Sequence, residues 1–307
     1  MNEKLLITGG SGLLGSNIAG IAAKGFKVFA THNSNPSQIQ DTEFLPLDIR
    51  DKKQVFFTFR KAMPNLVIHT AALTNVDYCE THSKEAWAVN AEGTENVALA
   101  SKEVGAKLFY ISTDSVFNGE QGMYVEEDTP NPINVYAKTK FEGEERARHW
   151  LSDSIIVRTA FYGWSLHNKS SLAEWVVNGL RERKTLNMFT DVFFSPIFVS
   201  NLVEVLIEMY HRNLSGIFHV AGSERCSKYV FGQEIAKSFG LNSEYVKPSS
   251  VAEAGLKARR PKDVSLNINK VSNAIHTKLL GVKEGITWFK NLENSFQGGY
   301  HEKNKDW

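Results

Sequence analysis

Tyr136 and Lys140 stand four residues apart in the segment Tyr-Ala-Lys-Thr-Lys. On a helix this spacing sets a phenol and an ammonium one above the other. Such a pair suits one task, delivering a proton to a carbonyl oxygen or taking one from an alcohol. A phenol with an ordinary pKa of about 10 needs help near neutral pH. A cation beside it favours the phenolate and lets Tyr136 act as acid or base. Upstream lies Ser112-Thr113-Asp114, and the hydroxyl of Thr113 or Ser112 would hydrogen-bond the reacting oxygen. The spacing means little by itself in a chain with nine tyrosines. The plainer reading is a helix tyrosine beside a solvated lysine.

A second cluster gives the first its weight. Thr8-Gly-Gly-Ser-Gly-Leu-Leu-Gly15 follows an apolar run and opens a helical pattern. The turn needs Gly9, close approach of a pyrophosphate to the backbone needs Gly12, and helix–sheet packing needs Gly15. The opening residues of the helix, Leu13 and Leu14, then offer free amides and the positive end of the dipole to phosphates. The segment Ala30 to Asn35 has no Asp or Glu to hold a ribose 2′-hydroxyl and no Arg. His32, Asn33 and Ser34 could donate to a 2′-phosphate. NADP(H) is therefore the expected cofactor, with NAD(H) left open. Ala71 and Ala72 are small enough to let a cofactor approach the chain.

These residues need a scaffold that brings strand ends together. Short apolar runs at Lys4–Thr8, Lys27–Thr31, Phe44–Ile49, Leu66–Thr70, Lys107–Ser112 and Ser154–Arg158 read as strands, the third weakened by Pro46. Helical spacing falls between them at Leu13–Lys24, closed by Gly25, at Lys52–Ala62, at Ser83–Val104 and within Pro132–Leu151. This alternation predicts a parallel sheet wound on both faces, with functional loops at the carboxyl ends of the strands. After Arg158 the rhythm changes. Helices at Ser171–Arg183, Leu202–Tyr210 and Tyr229–Phe239, a strand at Gly216–Ala221 and an extended loop at Phe189–Val199 predict a smaller mixed α/β region. Residues 1–160 are thus expected to bind the cofactor. Residues 161–307 are expected mainly to cap the substrate, interleaved with the sheet, and the polar tail 301–306 to be mobile.

Composition excludes several classes. Lys+Arg minus Asp+Glu is 35 − 34 = +1, so bulk charge gives no reason to bind nucleic acid or an acidic membrane. No run approaches the roughly 18 apolar residues of a membrane span. The two cysteines, Cys79 and Cys226, can build neither a disulfide framework nor a four-ligand zinc site. The nine histidines show no tight metal-ligand spacing. A reduced, cytoplasmic protein without a metal is expected.

The glycine spacing, three glycines each separated by two residues, resembles the extended short-chain dehydrogenase/reductase family, whose fingerprint is T-G-x-x-G-x-x-G. Longer segments resemble one of its groups, the dTDP-4-dehydrorhamnose reductases. They are Tyr110-Ile-Ser-Thr-Asp-Ser-Val-Phe-Asn-Gly119, Pro132 to Glu144, Ala72-Leu-Thr-Asn-Val-Asp-Tyr-Cys-Glu80 and Ala258-Arg-Arg-Pro-Lys-Asp-Val-Ser-Leu-Asn267. The resemblance runs from Lys4 to about Phe289. It implies a Rossmann domain with a smaller C-terminal substrate-binding region. It also implies Thr113, Tyr136 and Lys140 as the catalytic set, with Lys140 also holding the cofactor ribose. Asp48 would bond the adenine and Ile49 pack on its ring; without the resemblance, Asp48 reads as a helix cap. Ser112, Thr113, Asn75, Val76, Arg259 and Arg260 would meet a nucleotide-diphosphate sugar, the arginines by bidentate contact to phosphate. Ser115 departs from the group's tyrosine. Arg158-Thr-Ala-Phe-Tyr-Gly163 is one residue short of its R-T-S-W-x-Y-G. Phe161 or Trp164 would then replace the tryptophan that sits against the sugar.

The activity implied is NAD(P)H-dependent reduction of a nucleotide-linked 4-keto-6-deoxysugar. Two alternatives stay open. An epimerase of the same family normally retains NAD and prefers an acid after the second strand, which this chain lacks. A non-catalytic regulatory subunit, resembling the methionine adenosyltransferase β subunit, would keep the fold and work by association. A dehydratase is disfavoured because Asp114 is followed by Ser115 and not by glutamate. Oligomeric state is not legible, and a homodimer is left open.

Overall fold

A computed structural model describes residues 3–165 and 170–294; the tail 301–306 lies outside the described residues. Six strands come from the first half: β1 (Lys4–Thr8), β2 (Lys27–His32), β3 (Thr42–Pro46), β4 (Leu66–His69), β5 (Lys107–Ile111) and β6 (Ile155–Arg158). Four more are short: β7 (Phe161–Tyr162), β8 (Leu186–Phe189), β9 (Phe193–Phe194) and β10 (Ile197–Phe198). β11 (Gly216–His219) then returns to the central sheet, which runs β3-β2-β1-β4-β5-β6-β11. Every pair in it is parallel.

The apolar runs have no polar alternation because both faces of the sheet are covered. Leu5 and Ile7 face one core, shared with Val28, Ile68 and Val157. Leu6 faces the other, with Phe29, Val67 and Leu108. Helix α1 (Leu13–Ala22) lies on the first face. On the second lie α2 (Lys52–Ala62), α5 (Gly93–Val104) and α6 (Val135–Trp150), reached through the short helices α3 (Val76–Thr81) and α4 (Ser83–Trp87). The strand order reverses between β1 and β4, which opens a crevice at their carboxyl ends.

The second half adds α7 (Leu172–Arg181), α8 (Val199–His211), β12 (Cys226–Ser227), α9 (Lys228–Phe239), β13 (Val246–Ser249), α10 (Asn269–Ala274) and α11 (Val282–Asn291). α8 packs beside α1. The short strands form three two-stranded sheets, β10–β7, β12–β9 and β13–β8. An aromatic cluster of Tyr162, Trp164, Phe198, Phe231 and Phe289 fills the space between them and the helices. Among the described residues no helix is long and apolar enough to cross a membrane. None of their His, Cys, Asp and Glu side chains form a group of three placed to hold a metal ion.

Three local expectations change. Gly25 does not close α1: the cap is Ala23 in ordinary helical geometry, and Gly25 only donates to the Ala22 carbonyl at 3.0 Å. β3 ends at Pro46 and does not reach Ile49, which leaves Asp48 and Ile49 in the loop beyond the sheet. The pattern from Ser83 to Val104 is helical throughout but carries a π-turn at Ala88–Glu92. There Asn90 is turned inward; it accepts from Leu73 N–H at 2.8 Å and donates to Thr139 Oγ1 at 3.0 Å.

Candidate active site

The glycine loop is as tight as chemistry at a backbone requires. Gly9 has φ +71°, and a Cβ there would lie 2.7 Å from the Ala71 backbone. Gly15 packs its Cα face on the Gly9 carbonyl. Gly10, which the spacing argument passes over, touches Ala30, where a Cβ would approach to 2.5 Å. Gly12 caps α1 without a side chain and in extended geometry, and the first turn carries no acid. The amides of Leu13 and Leu14 therefore face an outside acceptor, and this cradle fits a dinucleotide pyrophosphate. Ala71 and Ala72 are half-exposed beside it, and Thr70 Oγ1 donates to the Thr8 carbonyl at 2.7 Å.

Sequence reasoning missed His69, which braces this loop. Thr94 donates its proton to the Asn90 carbonyl at 2.7 Å, so His69 Nε2–H donates to Thr94 and Nδ1 accepts from Thr8 at 2.5 Å. Burial, with Lys140 nearby, brings the His69 pKa to about 3 and keeps the ring neutral.

Tyr136 and Lys140 lie in the first turns of α6, whose cap Asn134 accepts from Ala137 N–H at 2.9 Å. Lys140 is 3% exposed. Its Nζ donates to the Ile111 carbonyl at 2.7 Å and lies 4.1 Å from the Tyr110 ring centroid. Burial brings its pKa down to about 7, against the pull of the Glu144 carboxylate. Tyr136 is half-buried, and the same desolvation pushes its phenol up. Hydrogen bonding to Thr113 opposes that rise and the charge of Asp114 adds to it. Thr113 follows β5 and caps the short 3-10 turn Asp114–Val116 by accepting from Ser115 N–H at 3.1 Å. Its hydroxyl donates to Asp114 Oδ1 at 3.1 Å.

Ser112 requires a correction. Its hydroxyl donates to Glu144 Oε1 at 2.5 Å, which commits its proton to the buried Glu144–Arg158 pair and not to a substrate. Trp164 is a second correction. Its indole donates to the Phe289 carbonyl at 2.7 Å and stacks on the Phe289 ring at 4.2 Å, which places it in the core. Phe161 is half-buried in β7 beside Ile197.

Ile49 is a third: it is 5% exposed and packs on Gly93, leaving little surface for an adenine ring. Asp48 is gripped by Arg50, with Nη2 to Oδ2 at 2.6 Å, which holds its carboxyl below the usual range. Asp51, not Asp48, caps α2. His32 ends β2 half-exposed, and Asn33 and Ser34 beyond it are exposed.

On the opposite rim Asn75 caps α3 and is exposed, and Val76 is half-buried. The two arginines separate here. Arg260 is tied by Nη2 to Asp77 Oδ2 at 2.9 Å and by Nη1 to the Ala258 carbonyl at 2.8 Å. That corrects its assignment as a phosphate contact. Asp77 Oδ1 also accepts from Ala258 N–H at 2.9 Å, and Asn134 Nδ2 donates to the Arg259 carbonyl at 3.0 Å. The arginine loop is thus fastened to the starts of α3 and α6, with the Arg259 side chain exposed. Lys228, at the start of α9, lays its ammonium over the Phe194 ring, 3.1 Å from the centroid. No local spacing in the sequence announces it.

Three comparisons bear on this site. The family model described as the RmlD substrate binding domain matches residues 3–293. The spore coat polysaccharide biosynthesis protein SpsK of Bacillus subtilis is 32% identical over 261 residues, covering 84% of this chain and 87% of the relative. The methionine adenosyltransferase 2 subunit beta of Danio rerio is 30% identical over 316 residues, 98% of this chain and 92% of the relative. Among solved structures, a dTDP-4-dehydrorhamnose reductase from Bacillus anthracis in complex with NADP superposes with a TM-score of 0.82. It is 31% identical, over 95% of this chain and 99% of that one.

Proposed function

This chain belongs to the RmlD substrate binding domain family, and we propose that it is a nicotinamide-dependent reductase of a nucleotide-linked 4-keto-6-deoxysugar. What supports the reading is that Thr113 follows β5, that Lys140 donates to the Ile111 carbonyl at the end of the same strand, and that Tyr136 stands one turn before Lys140 on α6. The reduced nicotinamide supplies a hydride to the keto carbon when bound. Tyr136 hands its proton to the oxygen that becomes the alcohol. The Lys140 ammonium stabilises the phenolate left behind, and Thr113 steadies the phenol. Arg259 supplies a guanidinium for the diphosphate, a local donor in a chain of almost no net charge. Oxidation of NADPH across a panel of nucleotide-linked 4-keto sugars tests the reading directly.

The resemblance to a methionine adenosyltransferase β subunit over 98% of the chain favours a second reading, a non-catalytic subunit. Absence of turnover with every sugar, together with stable association with a catalytic partner, would establish it instead.

Cofactor preference follows from the loop after β2. With His32, Asn33 and Ser34 and no carboxylate there, NADPH is favoured modestly over NADH. His32→Asp places an anion where a 2′-phosphate would lie. The NADPH/NADH ratio of kcat/KM is expected to fall by about tenfold or more. An unchanged ratio would remove the 2′-phosphate from this loop.

Asp77 provides a test of the rim. Asp77→Asn loosens the loop that presents Arg259, and the partly exposed pair is worth up to ~1 kcal/mol. KM for the sugar nucleotide is expected to rise about fivefold with kcat nearly unchanged. A fall in kcat at constant KM would mean the loop acts on the reacting atoms.

A further inference from the structure

We propose that Asn134 is a positioning residue: it joins the arginine loop to α6 and so fixes where the Arg259 guanidinium stands relative to Tyr136. Three segments far apart in the chain meet here and close a ring. α3 and α6 are tied by Val135 N–H, which donates to Glu80 Oε2 at 3.0 Å. α3 and the arginine loop are tied by Asp77, which takes Ala258 N–H on Oδ1 and Arg260 Nη2 on Oδ2, both at 2.9 Å. Asp77 and Glu80 stand three residues apart on α3, a spacing that turns both carboxylates to one side. The third side of the ring, between α6 and the loop, is Asn134. Its Nδ2 donates to the Arg259 carbonyl at 3.0 Å, and its Oδ1 accepts from Ala137 N–H at 2.9 Å.

Capping alone does not call for an asparagine at this position. Serine and aspartate cap a helix N-terminus as well, but neither carries an acceptor and an N–H donor on one planar group. Here both ends of the amide are used. The partners fix which end is which, because the Ala137 amide can only donate and the Arg259 carbonyl can only accept. The side chain is 2% exposed, so water competes little for either bond. Without its donor, the Arg259 carbonyl would gain by moving out to solvent, and the loop would move with it. The tie between Asp77 and Arg260 is partly exposed and holds less firmly. The Asn134 bond ends on the backbone of the arginine whose side chain is exposed, and it starts two residues before the phenol. One hydrogen bond, and no free stretch of loop, therefore separates the chain that carries the guanidinium from the helix that carries Tyr136.

The kinetic consequence rests on the reductase reading, whereas the joint itself does not. Asn134→Ser keeps a capping oxygen and removes the donor to Arg259. Asn134→Asp does the same, should the serine variant not fold. Amide hydrogen exchange on the full-length protein without ligand reads the joint. The amides of 258–260 are expected to exchange about fivefold faster or more in the variant, while those of 137–140 keep the parent's rate. Unchanged exchange at 258–260 overturns the proposal. So does an equal rise at 137–140, which would make Asn134 a cap and nothing more. With a nucleotide-linked 4-keto sugar that turns over, Asn134→Ser is expected to raise KM about fivefold at near-constant kcat. The rise should vanish in the Arg259→Ala background, because Asn134 acts through Arg259. A fall in kcat at constant KM, or a full effect retained without the Arg259 guanidinium, overturns it. Should no sugar nucleotide turn over, the reductase reading fails while the exchange rates still decide the joint.

Discussion

Phenylalanine in place of Tyr136 is expected to lower kcat by about 10²–10⁴-fold while NADPH affinity and the thermal midpoint stay near those of the parent. Only an oxygen is removed. The ring remains half-buried on α6, and the glycine cradle and Lys140 are untouched. Hydride arrival at the keto carbon leaves a developing alkoxide that must take a proton. The Thr113 proton is engaged with Asp114, and the Ser112 proton with Glu144. Tyr136 is then the hydroxyl placed to give one. The phenol is protonated throughout the neutral range because burial raises its pKa, which suits an acid. Lys140 sets the pH dependence. Its pKa lies near 7, and in the proposed mechanism the ammonium is the form that would stabilise the phenolate. For reduction, kcat/KM, which reports the free enzyme, should be flat at lower pH and fall as pH rises through about 7. A Tyr136→Phe protein that kept its rate, or a profile flat to pH 9, would remove these roles.

Local spacing made part of this site legible. The pair Tyr136/Lys140 and the trio Gly9/Gly12/Gly15 each fall within one or two turns of chain, so their geometry follows from helix and loop periodicity. Ser112 and Thr113 are not separable from the sequence. Successive residues leaving a strand point to opposite sides, but both sides of this sheet are covered, with Tyr110 and Ile111 both buried, so what divides them is the carboxylate each meets, Glu144 for Ser112 and Asp114 for Thr113. Arg259 and Arg260 were not separable. What distinguishes them is Asp77, more than 180 residues earlier in the chain. Trp164 looked available for a sugar because its partner, the Phe289 carbonyl, lies 125 positions away. Lys228 carried no signal at all. Helical periodicity registers the apolar face of α9 and is blind to the Phe194 ring beneath its first residue. Long-range polar pairing decides the arginine and Trp164 cases, and hydrophobic pattern does not encode it.

Glu144→Ala is expected to cost about 3–5 kcal/mol of stability, the largest loss of any single polar truncation described above. Glu144 is fully buried and Arg158 is 1% exposed. Nε of Arg158 reaches both carboxylate oxygens at 3.1 and 3.2 Å, and Nη2 reaches Oε2 at 2.8 Å. Ser112 donates to the same carboxylate. Truncation would strand a guanidinium whose Nη1 already has no hydrogen-bond partner among the described residues, with the Phe117 ring 5.2 Å from Cζ. For a chain of this size the thermal midpoint should fall by roughly 5–8 °C. The double replacement Glu144→Met with Arg158→Met should recover most of the loss, because two desolvated charges are removed together. The carboxylate also anchors Ser112 and pulls the Lys140 pKa upward. The single variant should therefore show a kcat/KM profile that falls at lower pH than the parent's. Calorimetry on the single and double variants separates the outcomes. A Glu144→Ala midpoint within about 2 °C of the parent would mean that water reaches Arg158 and that the pair is not sealed in the core.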